Sequence, residues 1–292
     1  MSPNTGFIFY NELYRNYTDE DWKKILTESK VELNDSTKTN IKKINDKVLN
    51  SKIYEILEYN ELNVNCTFEL KTTYPGLVLG TGYHHETGVD DEFKIGFYFD
   101  YTTGMPVIPG SSVKGLIRSA FPGREKLKND KDTPKDKNAR YYKKEKEEYI
   151  REKLGKDDSF DVEALENEIF EGIKDKNAKK AKDKYLSIYE RDIFHDAVPI
   201  KLESDGLLKE DFLAPHKDNP LKNPIPLKFL KIAPGVTFRF QFDLKERDEK
   251  NRIITKEEKK NLFIAILLDF GIGAKTNVGY GQFNANEVLE EN

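Results

Sequence analysis

The spacing of apolar positions divides the chain into stretches of different period. Over the first 60 residues the period is helical. Thr18 and Asp21 stand as a capping box ahead of Trp22, Ile25 and Leu26, and Ile41, Ile44, Val48, Ile53, Ile56 and Leu57 mark a second helix. At Leu62 the period drops to two. Leu62, Val64, Cys66, Phe68 and Leu70 alternate with polar residues and predict a half-buried strand. That places Cys66 as an inward-facing core thiol rather than a nucleophile. Residues 74–110 are rich in Gly and Pro, with a strand candidate over 97–101. Pro109–Gly110 then breaks the chain, Ser111 or Ser112 can cap, and Val113, Leu116, Ile117 and Ala120 supply the apolar face of a helix.

Residues 124–184 break the pattern. More than half are charged, both signs are mixed, and large apolar side chains are few, so the segment reads as an insertion: a solvated helical arm or a partly disordered loop. Only 162–170 keeps helical apolar spacing. From Tyr185 the core pattern returns, with strands expected over 193–200, 225–232 and 236–242. A helix follows, capped by Thr255 and Glu258 and faced by Leu262, Phe263, Ile266, Leu267 and Phe270. A glycine-rich turn and a last strand near 282–285 close the chain. This order predicts an α+β fold with antiparallel pairing, as in ferredoxin-like domains. The expected division is a helical N-terminal region (1–60), a first part of the core (61–123), the charged insertion (124–184) and the remainder of the core (185–292).

Composition narrows the function classes. At 292 residues the chain allows one large domain or two small ones. Its net charge of −4 excludes a chain that is basic overall, but leaves room for local basic islands. A single cysteine excludes an internal disulfide and a Cys-based zinc site, which fits a reducing compartment. The opening MSPNTGFIFY lacks a basic n-region and a long apolar core. The apolar run over 262–268 is too short to span a bilayer, so the expectation is a soluble, cytoplasmic protein with no membrane partner.

Three acid-poor islands carry the candidate chemistry. The first is the turn with Gly271, Gly273, Gly279 and Gly281, which also holds Lys275, Thr276, Asn277 and Tyr280 and has no acid between Asp269 and Glu287. Such a turn either packs a helix onto a strand or cradles phosphate with exposed N–H groups. Its GAKT piece is not a P-loop, because Ala precedes the lysine and a helix, not a strand, comes before it. The second island, 109–124, puts Lys114 and Arg118 on one helix face, with Ser111 and Ser112 at the positive helix end, a ready anion site. The third, 212–242, holds Lys217, Lys222, Lys228, Lys231, Arg239 and His216 against Asp218 alone. His84, His85, His195 and His216 show no metal spacing, and neither metal nor cofactor is expected. The His84–His85 loop reads as simple loop polarity, a general base or a nucleic-acid contact. Asp90, Asp91 and Glu92 read as a solvated turn. The lysine-rich run 174–184 reads as a solvated face or an RNA contact.

Several of these blocks together resemble the RAMP superfamily of CRISPR proteins, and within it the family of sixth subunits of type III-B Cmr effector complexes. The blocks are NTGFIFYNELY, LVLGTGYHHETG, GMPVIPGSSVKGLIRSAF, FHDAVPI, NPIPLKFLKIAPGVTFRFQF and GIGAKTNVGYGQF, in that order, covering roughly 5–123 and 185–285. The resemblance implies a ferredoxin-like (RRM-like) RAMP fold, as one unit or two fused. It implies a non-catalytic subunit that binds the 3′ part of the CRISPR guide RNA at one end of the effector filament in antiviral defence. Implied partners are guide and target RNA, the repeating backbone RAMP subunit, the small helical subunit and the other terminal RAMP subunit. IPGSSVKG maps to Pro109–Gly115 and the glycine turn to Gly271–Gly281. On this reading Ser111, Ser112, Lys114, Arg118, Gly271, Gly273, Lys275, Thr276, Asn277 and Gly279 meet phosphate and sugar, because a guide of arbitrary sequence cannot be read by base edges. Tyr280, His84 and His85 are the stacking candidates. Two alternatives stand beside it. One is a metal-independent endoribonuclease that processes CRISPR repeats, with His84 or His85 as general base and the RNA 2′-hydroxyl as nucleophile. The other is a scaffold that touches only protein.

Overall fold

The structure is a computed structural model that describes residues 4–28, 31–51, 62–80, 89, 91–95, 97–123, 137–203, 206–213, 226–247 and 253–284. Its elements are helices and antiparallel sheets, the α+β class expected. The N-terminal region is helical. A first helix, α1, runs over 5–15 with a π-helical middle, followed by α2 (Asp19–Thr27) and α3 (Asp35–Leu49). The Thr18–Asp21 capping box forms, and Asp21 also accepts the Thr37 hydroxyl at 2.9 Å, so one carboxylate ties the starts of α2 and α3 together. Ile41, Ile44 and Val48 are buried as their spacing predicts. Leu26 is not: it is 82% exposed at the last turn of α2. Ile53, Ile56 and Leu57 lie outside the described residues.

The core is built on β6 (Val236–Asp243), the longest strand described. β1 (Cys66–Lys71) pairs along one edge of it, and β2 (Ile193–Phe194) and β3 (Val198–Leu202) pair in succession along the other, all antiparallel. The β1–β6 register sets Cys66 opposite Phe242, Phe68 opposite Phe240 and Leu70 opposite Phe238. These alternate positions form an aromatic inner face on which α7 (Lys256–Phe270) lays Leu262, Phe263, Ile266 and Leu267, all fully buried. Each buried Phe contributes about 1.5–3 kcal/mol. The strand expected over 193–200 is interrupted at His195–Ala197, because Asp196 turns out of the ladder to reach the helix that starts at Gly110. A second sheet is the hairpin of β4 (Leu208–Leu213) and β5 (Leu227–Ile232). The strands expected over 97–101 and 282–285 are reduced, within the described residues, to single bridges: Phe99 to Pro106, and Phe283 to Thr72.

Within the charged segment, residues 124–136 lie outside the described residues, and the described part, 137–184, departs from the expectation. α5 (Lys137–Leu154) and α6 (162–171) are packed elements rather than a solvated arm or disordered loop. Ile150 and Leu165 are fully buried, and Lys153 and Lys156 pair with Asp269 and Glu258 of α7 at 2.7 and 2.6 Å. The apolar side chains of the segment are few but reach the core, where Ile150, Val162, Leu165, Ile169 and Phe170 are buried, and the partly exposed ion pairs only fasten its edge along α7. Glu92 is likewise not a solvated turn residue: it is 1% exposed, with Lys94 at 3.8 Å.

Cys66 faces inward as its alternation predicts. Burial pushes its thiol up to about 11. At pH 8 the thiolate fraction is then about two orders of magnitude below that of a free cysteine. Alkylation of the native protein by iodoacetamide is expected to be slowed about 100-fold relative to the urea-unfolded chain. Equal rates would contradict the inward placement. No described helix is long and apolar enough to cross a membrane.

Candidate functional site

The helix α4 (Gly110–Ser119) begins under tight constraint. A Cβ on Gly110 would lie 2.2 Å from the Phe194 carbonyl oxygen, so the helix start packs flush on the backbone of 194–195. Pro109 is the N-cap, and neither Ser111 nor Ser112 caps. The Gly110 N–H donates instead to Asp196 Oδ1 at 2.7 Å, and the Ile108 and Ala197 backbones exchange hydrogen bonds of 2.9 Å beside it. The positive helix end expected to wait for an external anion therefore already faces a carboxylate of the same chain. Ser111 and Ser112 are exposed in the first turn.

Lys114 and Arg118 share a face, as their spacing requires, and that face lies over aromatic rings. Lys114 Nζ sits 5.5 Å from the Phe194 ring centre and Arg118 Cζ 5.7 Å from that of Phe170. Arg118 also bonds Glu171 at 2.7 Å and approaches Glu166 at 3.9 Å. Burial pushes the Glu166 carboxyl up, against the opposing pull of the Gly123 N–H and Arg118. Arg118 is thus a tie between α4 and α6, its side chain still 38% exposed. Lys114 remains partly exposed.

The glycine turn begins where α7 ends. Gly271, Gly273, Gly279 and Gly281 all take positive φ, as does Lys275 at 63°. Gly281 is the tightest: an added Cβ would fall 1.8 Å from the Ile272 carbonyl oxygen. The turn spends much of its backbone on its neighbours. Ile272 N–H donates to Gly281 O, Ala274 N–H to Val78 O and Gly281 N–H to Gly76 O, at 2.8–2.9 Å. This is the packing role of the turn, and Gly271, Gly273 and Gly281 serve it. What faces outward is the tip: partly exposed Lys275 and Thr276, then exposed Asn277 and Val278.

Tyr280 is a correction. It is 5% exposed, set edge-to-face on Phe229, with its hydroxyl donating to Asp211 at 2.8 Å, so its ring is no free stacking platform. Burial and the Asp211 bond both push the phenol up and keep it a donor. Burial alone would raise Asp211, but hydrogen bonds from Lys231 and Tyr280 hold its carboxyl below the ordinary range. The exposed ring at this place is Tyr74, 85% exposed on the loop whose Pro75 lies beside Gly279. Sequence reading missed it because nothing in a lone Tyr before Pro marks it as exposed.

The described cations of the third island are all paired on folding. Lys228 pairs with Glu210, Lys231 with Asp211 and Arg239 with Glu69, carboxylates delivered by β4 and β1. Lys217, Lys222 and His216 lie outside the described residues, as do His84 and His85. His195 approaches Asp243 Oδ2 at 3.2 Å across β2 and β6.

Comparison with curated proteins finds no match. Among solved structures, a chain of the type III-B Cmr-beta complex bound to cognate target RNA is 22% identical, covering 97% of this chain and 84% of that one at a TM-score of 0.46. Cmr6 from Pyrococcus furiosus is 23% identical, covering 76% of this chain and 99% of that one at 0.39. A chain of a type IV-B CRISPR complex is 13% identical, covering 78% and 94% at 0.36. The RAMP superfamily profile matches residues 69–284, which run from β1 through α4 and the central strands to the end of the glycine turn. The chain belongs to the RAMP superfamily.

Proposed function

We propose that the chain is a non-catalytic subunit of a type III-B CRISPR RNA-guided effector complex, and that it holds the 3′ part of the guide at one end of the filament. Membership of the superfamily supports this, as does the ordered set of blocks around IPGSSVKG. The observation that carries it is the glycine turn: a rigid frame that presents Lys275, Thr276 and Asn277 outward beside the exposed ring of Tyr74. A cation, two polar side chains and a ring meet the phosphate, sugar and base face of a single strand without reading its sequence. Lys114, with Ser111 and Ser112, is the second contact. The other Cmr subunits and the target RNA are the partners in this reading.

The test is guide binding by variants in the assembled complex. Lys275→Ala and Tyr74→Ala are each expected to weaken guide binding about fivefold or more, on the scale of one phosphate or stacking contact. The loss should be the same for every spacer sequence. Arg118→Ala is expected to leave affinity unchanged while lowering stability. A loss confined to guides with particular bases, or an affinity loss at Arg118 equal to that at Lys275, would overturn this account of the site.

A further inference from the structure

The basic cleft lies outside all three islands. It has a volume of about 750 Å³ and is lined by Asn65, Lys174, Tyr189, Lys245, Arg247 and Lys256 among others. Its basic character is built by folding: Lys174 comes from the charged segment, Lys245 and Arg247 from the end of β6, Lys256 from the start of α7. In sequence each sits among acids.

The lining is held in place. Lys259 and Asp192 form an ion pair at 2.7 Å with both side chains 2% exposed. The pair grips residue 245 from both sides: the Lys245 N–H donates to Asp192 at 2.7 Å, and Lys259 donates to the Lys245 carbonyl at 2.8 Å. Tyr189 is 82% exposed, yet it stands in a 3-10 turn (Ile188–Glu190) closed by a capping box of Ser187 and Glu190. The two carboxylates of the lining are engaged by backbone. Glu190 accepts the Ser187 N–H at 3.0 Å and Glu246 the Lys256 N–H at 3.1 Å. Arg247 pairs with Glu168 at 3.1 Å. Among the described residues no carboxylate lies within ion-pair distance of the Lys174, Lys245 and Lys256 ammonium groups, although Lys174 and Arg247 stand near enough to Glu190 to help the Ser187 hydrogen bond hold its carboxyl low.

We propose that this cleft binds single-stranded RNA, taking phosphate on Lys174, Lys245 and Lys256 and stacking a base on Tyr189. Cations alone would suit any polyanion. Cations beside an exposed ring carried on a capped turn suit a unit that carries both a phosphate and a planar base. The chain's net charge of −4 offers no general attraction for RNA, so binding by the free protein must come from local sites. The inference goes beyond the guide-holding reading and stands on different residues.

The experiment uses the full chain and a labelled oligouridine of about twelve nucleotides, read by fluorescence anisotropy at low salt. Tyr189→Ala is expected to weaken binding about 10-fold, and Tyr189→Phe, which keeps the ring, to stay within about twofold of the parent. The double variant Lys245→Ala/Lys256→Ala should flatten the log–log salt dependence by about 1.4, or 0.7 per lost phosphate contact. Lys275→Ala, run in parallel, separates the two sites. Loss there with Tyr189→Ala silent overturns the cleft and leaves the guide reading standing; loss at Tyr189 with Lys275→Ala silent supports the cleft. Uridine monophosphate binding as tightly as the oligomer would overturn the strand assignment in favour of a free nucleotide. Polyglutamate competing as well as RNA would overturn it in favour of an acidic protein partner. Absence of oligouridine binding by the parent chain would overturn it outright.

Discussion

Lys259→Met should lower the unfolding free energy by about 3–5 kcal/mol, because it leaves the Asp192 carboxylate buried without its counter-charge. The lysine lies on α7, in a helix whose other buried side chains are apolar, and both members of the pair are 2% exposed. The pair itself is worth far less than the cost of breaking it, since its attraction is offset by the desolvation of two charges. The double variant Asp192→Leu/Lys259→Met is therefore expected to lie within about 3 kcal/mol of the parent, the remaining deficit being the Lys245 N–H and C=O left without their side-chain partners. Urea unfolding with an unchanged slope reads both numbers. A double variant as unstable as the sum of the two singles would contradict the uncompensated-charge argument.

Gly281→Ala should cost about 3 kcal/mol or more, while Gly279→Ala, two residues earlier in the same turn, should cost about 1–2 kcal/mol. Both glycines take positive φ, at 73° and 95°. They differ in what a methyl group would meet. At Gly281 it is a backbone oxygen 1.8 Å away, and the Gly281 N–H is also bonded to Gly76 O at 2.8 Å. At Gly279 the nearest atom is Pro75 Cδ at 3.6 Å, an ordinary contact, so only backbone strain remains. The order is the test: thermal unfolding that ranks Gly279→Ala as the more damaging would mean that the turn does not pack as described.

The contrast between these glycines marks the limit of what was legible in the chain. The alternation through Phe68 and Phe240 foretold the aromatic sheet face, and both capping boxes formed, because each rests on residues a few positions apart. The long-range ion pairs and hydrogen bonds were not legible, because their partners are far apart in sequence. Glu69 is 170 residues from Arg239, and Asp196 reaches Gly110 across 86. An acid-poor segment is therefore not a basic surface: β5 and β6 look cationic in sequence and are neutralised by β1 and β4. The same reasoning in reverse hid the cleft at Lys245, whose neighbours Glu246 and Asp248 mask it in sequence. Tyr280 looked like a stacking ring because its place among glycines suggested exposure, yet the turn folds inward and buries it against Phe229.

The most direct test of the central claim is an affinity pull-down of the tagged chain from its native host, with co-purifying proteins identified by mass and bound RNA sequenced. The account predicts several Cmr-type subunits together with guide RNAs that carry a repeat-derived tag. Recovery of the chain alone, with cut repeat RNA or with none, would contradict it and favour the repeat-processing endoribonuclease, for which cleavage of repeat RNA in EDTA is the decisive assay.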